Sequence, residues 1–199
     1  EAPDCPPSLA DRIWDSRGDY RVPGLEALAI PVMSCFDKLL VVFELRSLSI
    51  QPVSAPDRPT EEASPEKGAS AHDPRCFDLR LDGVVRSVLQ WDGGADRPEE
   101  DGSFAIFARS VGGCREGVLV EGHVYVLSVW RVPGAPGLVL LHCENVLLPF
   151  GKQGDGTQRI WDFETRKWVP VTLGAFESAF REFVELRDKC PGLCEFERR

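Results

Sequence analysis

The 199-residue chain lacks two features that would place it at a membrane or on a polyanion. No apolar run approaches the roughly 18 residues needed to cross a bilayer. Positive charge is scarce, since 23 Lys and Arg face 32 Asp and Glu and give a formal net charge of −9. An acidic surface repels phosphate backbones, anionic lipids and sulfated glycans. We therefore expect no nucleic-acid partner, no membrane insertion and no heparin binding.

Residues that support catalysis near neutral pH are also few. Of the three histidines, His72 lies in a Pro-rich segment, His123 begins a predicted strand, and His142 sits beside Cys143. Neighbouring residues of a strand point to opposite faces, so His142 and Cys143 cannot share a proton as a catalytic pair. No nucleophile elbow, phosphate-binding glycine loop or zinc-protease helix motif occurs. The sequence predicts a protein with no enzymatic activity and no cofactor.

The seven cysteines are spread along the whole chain: Cys5, Cys35, Cys76, Cys114, Cys143, Cys190 and Cys194. A structural zinc site normally shows two close pairs, and only Cys190 and Cys194 are that near each other. The spread favours disulfides in a secreted protein; the alternative is a set of reduced core thiols in a cytosolic one. We expect a secreted, disulfide-stabilised chain whose signal peptide has been removed, with one cysteine unpaired.

Composition divides the chain into a leader, a domain and an insertion. Residues 1–34 carry several prolines among scattered apolar positions, which predicts an irregular leader packed on the domain. Residues 35–194 are predicted to form one domain, with a mobile acidic, Pro-rich insertion at 51–75. Within the leader, Arg17 and Asp19 of an Arg-Gly-Asp tripeptide are candidates for integrin binding; a chance match is the alternative.

Period-two alternation of apolar and polar residues predicts strands at 35–50 and 76–90, and further strands are predicted at 104–107, 123–130 and 138–141. Gly83 interrupts the second strand, as a bulge would. From Phe176 the apolar spacing changes to one that only a helix places on a single face. Five antiparallel strands closed by one C-terminal helix suit a small barrel, because closure removes exposed edges. The predicted fold class is mainly β.

Three local patterns resemble the netrin-type module. This module is shared by the tissue inhibitors of metalloproteinases, netrins and complement proteins, and in a related form by the N-terminal domain of agrin. The patterns are Ser34-Cys35 before a long strand, the Cys-x4-Leu-x-x-Gly-x-x-Tyr spacing in 114–128, and the Cys-to-Pro-Phe ending of 140–150. The likeness covers residues 34–50 and 76–190. It implies an extracellular five-stranded oligonucleotide/oligosaccharide-binding (OB) barrel.

The resemblance also implies a disulfide pattern and has clear departures. It implies that Cys35 joins Cys190 and that Cys5 joins Cys114 or Cys143. The metalloproteinase inhibitors begin with a Cys whose amine and carbonyl chelate the protease zinc, whereas four residues precede Cys5 here. The acidic charge departs from the heparin-binding members. An acidic chain with a C-terminal helix is most similar to the agrin form, in which that helix lies near the laminin docking site.

These observations predict a secreted, non-enzymatic module that binds an extracellular-matrix or cell-surface protein. The alternatives are a metalloproteinase inhibitor of the netrin-like class and a soluble decoy whose acidic surface binds a basic cytokine, chemokine or growth factor. Aromatic residues often anchor such contacts, so Trp91, Trp161 and Trp168 are the partner-binding candidates. The alternative for these tryptophans is that they pack at the ends of the barrel.

Overall fold

The structure is a computed structural model that describes residues 4–14, 28–50, 78–94, 96–108, 118–131, 139–141 and 146–196. The insertion predicted at 51–75 lies outside these residues, as do Arg17 and Asp19. Cys76, Cys114 and Cys143 lie outside them too.

The described chain forms eight strands and three α-helices. In order they are α1 (Leu9–Ile13), α2 (Ile30–Phe36), β1 (Leu39–Ile50), β2 (Leu79–Trp91), β3 (Gly102–Ala108), β4 (His123–Arg131), β5 (Val139–Leu141), β6 (Leu147–Lys152), β7 (Thr157–Asp162), β8 (Lys167–Thr172) and α3 (Leu173–Lys189), followed by a 3₁₀ helix (Pro191–Cys194). The five strands and the helix predicted from the sequence correspond to β1–β5 and α3.

The first five strands close into a barrel. The pairing order is β1-β2-β3-β5-β4, and β4 pairs with β1 again to complete the ring. All neighbours are antiparallel except β3 and β5, which meet in parallel at Phe107 and Leu140. The predicted mainly β fold, with a closed five-stranded barrel of OB type and a C-terminal helix, is confirmed. The prediction that every neighbour is antiparallel is wrong for that one pair.

Strand β1 bends where it passes β2. The pairing moves from Leu45 opposite Gly83 to Ser47 opposite Asp82, so Arg46 is the extra residue. The predicted bulge is therefore present at Gly83, but the extra residue lies on β1. Gly83 fits there because a Cβ would collide with the carbonyl oxygen of Glu44 and with the Phe43 ring.

Two separate apolar layers contact β1. Leu39, Val41, Phe43 and Leu45 face the barrel interior, whereas Leu40 and Val42 face an outer layer beneath α2 and α3. The expectation that this strand is buried on one face is wrong for its first seven residues, all of which are buried. The helices cover its outward face, and only the second half of β1 is exposed.

The described parts of the leader contain one short helix, α1, and the start of another, α2. In α1, the Ser8 hydroxyl accepts a hydrogen bond from the Asp11 amide, which caps the helix N-terminus. In α2, Pro31 stands in the first turn, where its missing N–H costs nothing, while Ile30 and Met33 pack into the outer layer. Cys35 and Phe36 thus belong to α2, and the first strand starts at Leu39.

The segment after β5 holds elements that the sequence patterns did not indicate. Strand β6 extends the sheet beside β4, and β7 pairs with β8 as a separate two-stranded hairpin. The side chain of Gln158 on β7 donates a hydrogen bond to the carbonyl of Pro149 on β6. This hairpin leads directly into α3, where the Ala175 amide donates a hydrogen bond to the Thr172 hydroxyl.

Two disulfides join the leader to the C-terminal segment. Cys5 pairs with Cys190, with Cα atoms 5.8 Å apart, and Cys35 pairs with Cys194, with Cα atoms 5.4 Å apart. The predicted disulfide stabilisation is confirmed, but the pairings implied by the netrin-type resemblance are wrong. The Ala10 amide also donates to the Glu195 carbonyl at 2.8 Å. The two ends of the described chain are thereby held against each other.

Candidate functional site

A pocket of about 340 Å³ opens where α2 runs into β1, beside the end of β4. Its lining comes from three places in the sequence: Phe36, Asp37, Lys38, Leu39, Asp92, Ser128, Val129, Trp130 and Arg131. The pairing of β1 with β4 brings the first of these groups beside the last, since Leu40 lies opposite Ser128. Leu39 and 128–131 lie on strands, Phe36 ends α2, and Asp37, Lys38 and Asp92 lie in the connections beside them.

Two exposed aromatic rings belong to this pocket. Phe36 is 50% exposed and Trp130 is 46% exposed, although both residue types usually bury most of their surface. The Phe36 ring is held edge-on against Phe196, with centroids 5.1 Å apart. Among the described residues, the other large exposed apolar side chains are aliphatic: Leu48, Ile50 and Val120.

Asp37 supplies a carboxylate to the pocket. Its backbone ends α2, because its amide donates to the Met33 carbonyl at 2.8 Å and its carbonyl accepts from the Gln90 side chain at 2.7 Å. The carboxylate accepts a hydrogen bond from the hydroxyl of buried Ser128 at 2.8 Å. Burial raises the pKa of Asp37 above its usual value, and the Ser128 hydrogen bond opposes this shift.

The two cations of the rim, Arg131 and Lys38, each lie near a carboxylate. Arg131 forms a two-pronged pair with Asp96, at 2.7 and 3.0 Å, and also donates to the carbonyls of Asp92 and Gly93. This guanidinium holds the pKa of Asp96 below its usual value. Lys38 lies 3.8 Å from the carboxylate of Asp92. Within the described part of the chain, no Lys or Arg nitrogen lies within 4.0 Å of the Asp37 carboxylate.

The tryptophans chosen from the sequence are placed differently from the exposed rings. Trp91 is half-buried, donates to Asp96 at 3.3 Å and lies under the Arg131 guanidinium, 5.7 Å from its ring centroid. It thus adjoins the pocket by supporting Arg131. Trp161 and Trp168 face each other across the β7–β8 hairpin, with centroids 5.6 Å apart.

The three candidate tryptophans are not brought together. Trp161 packs against α1 residues Leu9 and Ile13, which places it at the leader side of the molecule. The sequence reasoning missed Phe36, Asp37, Ser128 and Trp130. A weak signal existed for Trp130, which shares a β4 face with Ser128 and immediately precedes Arg131 and a Pro/Gly turn.

The described residues supply hydrogen bonding, charge and aromatic surface rather than a metal centre. No group of three or more His, Cys, Asp or Glu side chains in this part of the chain could hold a metal ion. None of the helices in the described segments is long and apolar enough to cross a bilayer. No protein-family model matches the chain, and no curated protein matches it in sequence.

Proposed function

We propose that this protein is a secreted, non-enzymatic module that binds an extracellular-matrix or cell-surface protein through the Phe36–Trp130 pocket. The observation that carries the proposal is the pair of half-exposed aromatic rings at one pocket, Phe36 from α2 and Trp130 from β4. Aromatic residues beside a pocket are characteristic of the energetic centre of protein interfaces. Arg131 at the rim adds the third residue type enriched at such centres.

The two disulfides support an extracellular location. Disulfides persist in oxidising compartments and are rare in the cytosol. Both bonds tie distant parts of the chain, with sequence separations of 185 and 159 residues. A protein that needed only a transient redox pair would not require two such ties, so a structural role outside the cell fits better.

The pocket fits the proposal better than the C-terminal helix does. The netrin-type resemblance, retained here as part of the proposal, directs attention to α3 through the agrin-like form. The exposed face of α3 is polar and charged, with Ser178, Arg181, Glu182 and Glu185. An interface centre depleted of aromatic residues and rich in charge is unfavourable. The barrel order supports the netrin-type proposal, whereas the disulfide pairing does not.

The metalloproteinase-inhibitor alternative gains no support. In that mechanism a cysteine at the chain start presents a free amine to the protease zinc. Here Asp4 precedes Cys5, so the Cys5 nitrogen is a peptide amide, and Pro6 and Pro7 follow it before α1 begins. The soluble-decoy alternative differs from the module in its partner, which would be a basic cytokine, chemokine or growth factor rather than a matrix or cell-surface protein.

The experiment is a binding screen of the purified chain against immobilised matrix glycoproteins and cell-surface ectodomains, followed by variants. We expect saturable binding to one partner, and we expect Trp130→Ala and Phe36→Ala each to weaken it by about tenfold or more. Ile50→Ala is the matched control, because Ile50 is 74% exposed but lies far along β1.

Folding of each variant is checked by disulfide mapping and thermal unfolding. Equal binding by wild type, Trp130→Ala and Phe36→Ala would remove the pocket from the proposal. An equal loss in Ile50→Ala would place the contact on the exposed half of β1 instead. Absence of saturable binding to every matrix and cell-surface protein would overturn the proposed function.

A further inference from the structure

We propose that the Phe36–Trp130 pocket receives a basic side chain, Arg or Lys, of the partner protein, with the Asp37 carboxylate as its counter-ion. The assignment of this cation to a partner protein rests on the proposed function. The pocket's preference for a cation is independent of the proposed function, because it follows from the groups that line the pocket.

The first argument is the balance of charge inside the pocket. Arg131 is matched by Asp96, and Lys38 is matched by Asp92. Asp37 receives one side-chain hydrogen bond, from the neutral hydroxyl of Ser128. An anionic ligand at Arg131 would have to displace Asp96, and Lys38 is 75% exposed, whereas a cation in the pocket would find the Asp37 carboxylate ready to accept it.

The second argument is that the fold gains little from a charge at Asp37. The residue ends α2, where the negative end of the helix dipole disfavours a carboxylate. It is also partly buried, and this burial is what raises its pKa. An Asn side chain could also accept the Ser128 hydrogen bond, without the charge. A group that is unfavourable for stability and lies in a cleft is a candidate for binding.

The third argument is the aromatic rim and the charge of the whole chain. Cations are attracted to the faces of Trp and Phe rings, and the molecule already uses this contact between Arg131 and Trp91. The exposed rings of Phe36 and Trp130 offer aromatic surface at the pocket. A net charge of −9 draws a basic partner toward this surface over longer distances.

The test is an NMR titration of the full, disulfide-intact chain with three small probes. They are N-acetyl-arginine methylamide, N-acetyl-lysine methylamide and the neutral isostere N-acetyl-citrulline methylamide. We expect at least one basic probe to bind with a Kd of roughly millimolar order, as befits a single side chain, and to shift the amides of Asp37, Ser128 and Trp130. Citrulline should bind at least about tenfold more weakly, because it lacks the charge.

Two matched variants locate the counter-ion. Asp37→Asn keeps the shape and the Ser128 acceptor, and we expect it to weaken binding of the basic probe by about tenfold or more. Asp92→Asn removes a carboxylate from the same pocket, but one that is 65% exposed and already paired with Lys38, so we expect less than about a twofold change.

Equal affinities for the basic and citrulline probes would overturn the proposal, as would full affinity in Asp37→Asn. Loss of binding in Asp92→Asn alone would assign the cation to the rim and would also overturn it. These outcomes are separate from those for the proposed function. If a partner protein binds in a way that depends on Trp130 but not on Asp37, the proposed function is supported and the cation site is refuted. If the basic probe binds at Asp37 but no protein partner binds, the cation site is supported and the proposed function is refuted.

Discussion

The barrel interior and the outer layer are both apolar, but they are assembled by different means. Every buried member of the interior cluster lies on one of the five barrel strands, whose backbone pairing encloses it. The outer layer combines strand residues with α2, α3 and β7, which no continuous sheet connects. Side-chain and covalent links between distant residues hold it instead. The interior is thus specified by local alternation, and the outer layer by long-range ties.

The largest expected effect comes from removing the covalent ties. When both disulfides are present, each bond closes only a short loop, made of residues 5–35 and 190–194, because the other bond already joins the two ends of the chain. We expect Cys5→Ser/Cys190→Ser and Cys35→Ser/Cys194→Ser each to lower the free energy of unfolding by about 2–4 kcal/mol. The quadruple variant should lose about 1 kcal/mol more than the sum, since it opens the long loop as well.

Denaturant unfolding of the three variants measures these losses, with peptide mapping to verify that the remaining disulfide is unchanged in each double variant. If the loss in the quadruple variant equals the sum of the losses in the two double variants, the two bonds do not belong to one closed loop. That result would contradict the view that they act as a single tie between the leader and the C-terminal segment.

The next largest effect separates the layers through their aromatic residues. Phe43 in the interior and Phe180 in the outer layer are both fully buried, so changing either to Ala should cost about 3–5 kcal/mol. The two losses should differ in where they appear. Hydrogen exchange should accelerate throughout β1 and α3 in Phe43→Ala, but preferentially in α3 in Phe180→Ala.

Phe183 is the matched control, because it lies on the same helix and is only partly buried, so Phe183→Ala should cost less than Phe180→Ala. Equal acceleration of exchange in β1 and α3 for Phe180→Ala would show that the two layers unfold as one unit. The interior and the outer layer would then differ in how they are assembled but not in how they unfold.

A smaller effect tests the polar tie between α3 and α2. Arg187 donates to the Ser34 carbonyl at 2.7 Å, to the Ser34 hydroxyl at 3.0 Å and to the Gln90 side chain at 2.8 Å. We expect Arg187→Met to lower the free energy of unfolding by about 1.5–3 kcal/mol, because it removes three charge-assisted hydrogen bonds, two of them to buried Ser34. Arg181→Met on the same helix loses only an exposed pair with Glu177 and should cost less than about 0.5 kcal/mol. Similar losses in both variants would deny Arg187 a special role.

The same contrast explains which parts of the fold were predictable. Alternation located β1 and β2, and the change of period located α3, because each pattern reflects contacts made within one element. The outer layer was not located. Burial of the outward face of β1 depends on helices that pack on it only after folding, and the pairing of Cys5 with Cys190 depends on the route of the leader.

The candidate site was unpredictable for the same reason. Asp37 and Ser128 are 91 positions apart, and only the pairing of β1 with β4 makes them neighbours. The sequence did identify tryptophan as the residue type to examine. It could not distinguish Trp91, which lies under Arg131 and beside Phe104, from Trp130, whose ring is half-exposed.

The smallest effect is expected at the hydrogen bond between Asp37, which follows α2, and Ser128 on β4. The folded-state pKa of Asp37 is raised by burial, so the folded chain binds this proton more readily than the unfolded chain does. Stability should therefore decline as pH rises from about 3.9 through the folded-state pKa, and Asp37→Asn should remove that decline and stabilise the protein at pH 7.

Asp96 provides the opposite sign in the same region. Its folded-state pKa is lowered, first by the hydrogen bond from Arg131, so its contribution to stability is present above about pH 3.9 and is lost as pH falls through the folded-state pKa. Asp96→Asn should destabilise the protein at pH 7. Thermal unfolding of both variants between pH 3 and pH 7 measures the contrast. A destabilised Asp37→Asn at pH 7 would mean that Lys38 or Arg131 compensates the Asp37 charge, and the carboxylate would then belong to the fold rather than to a ligand.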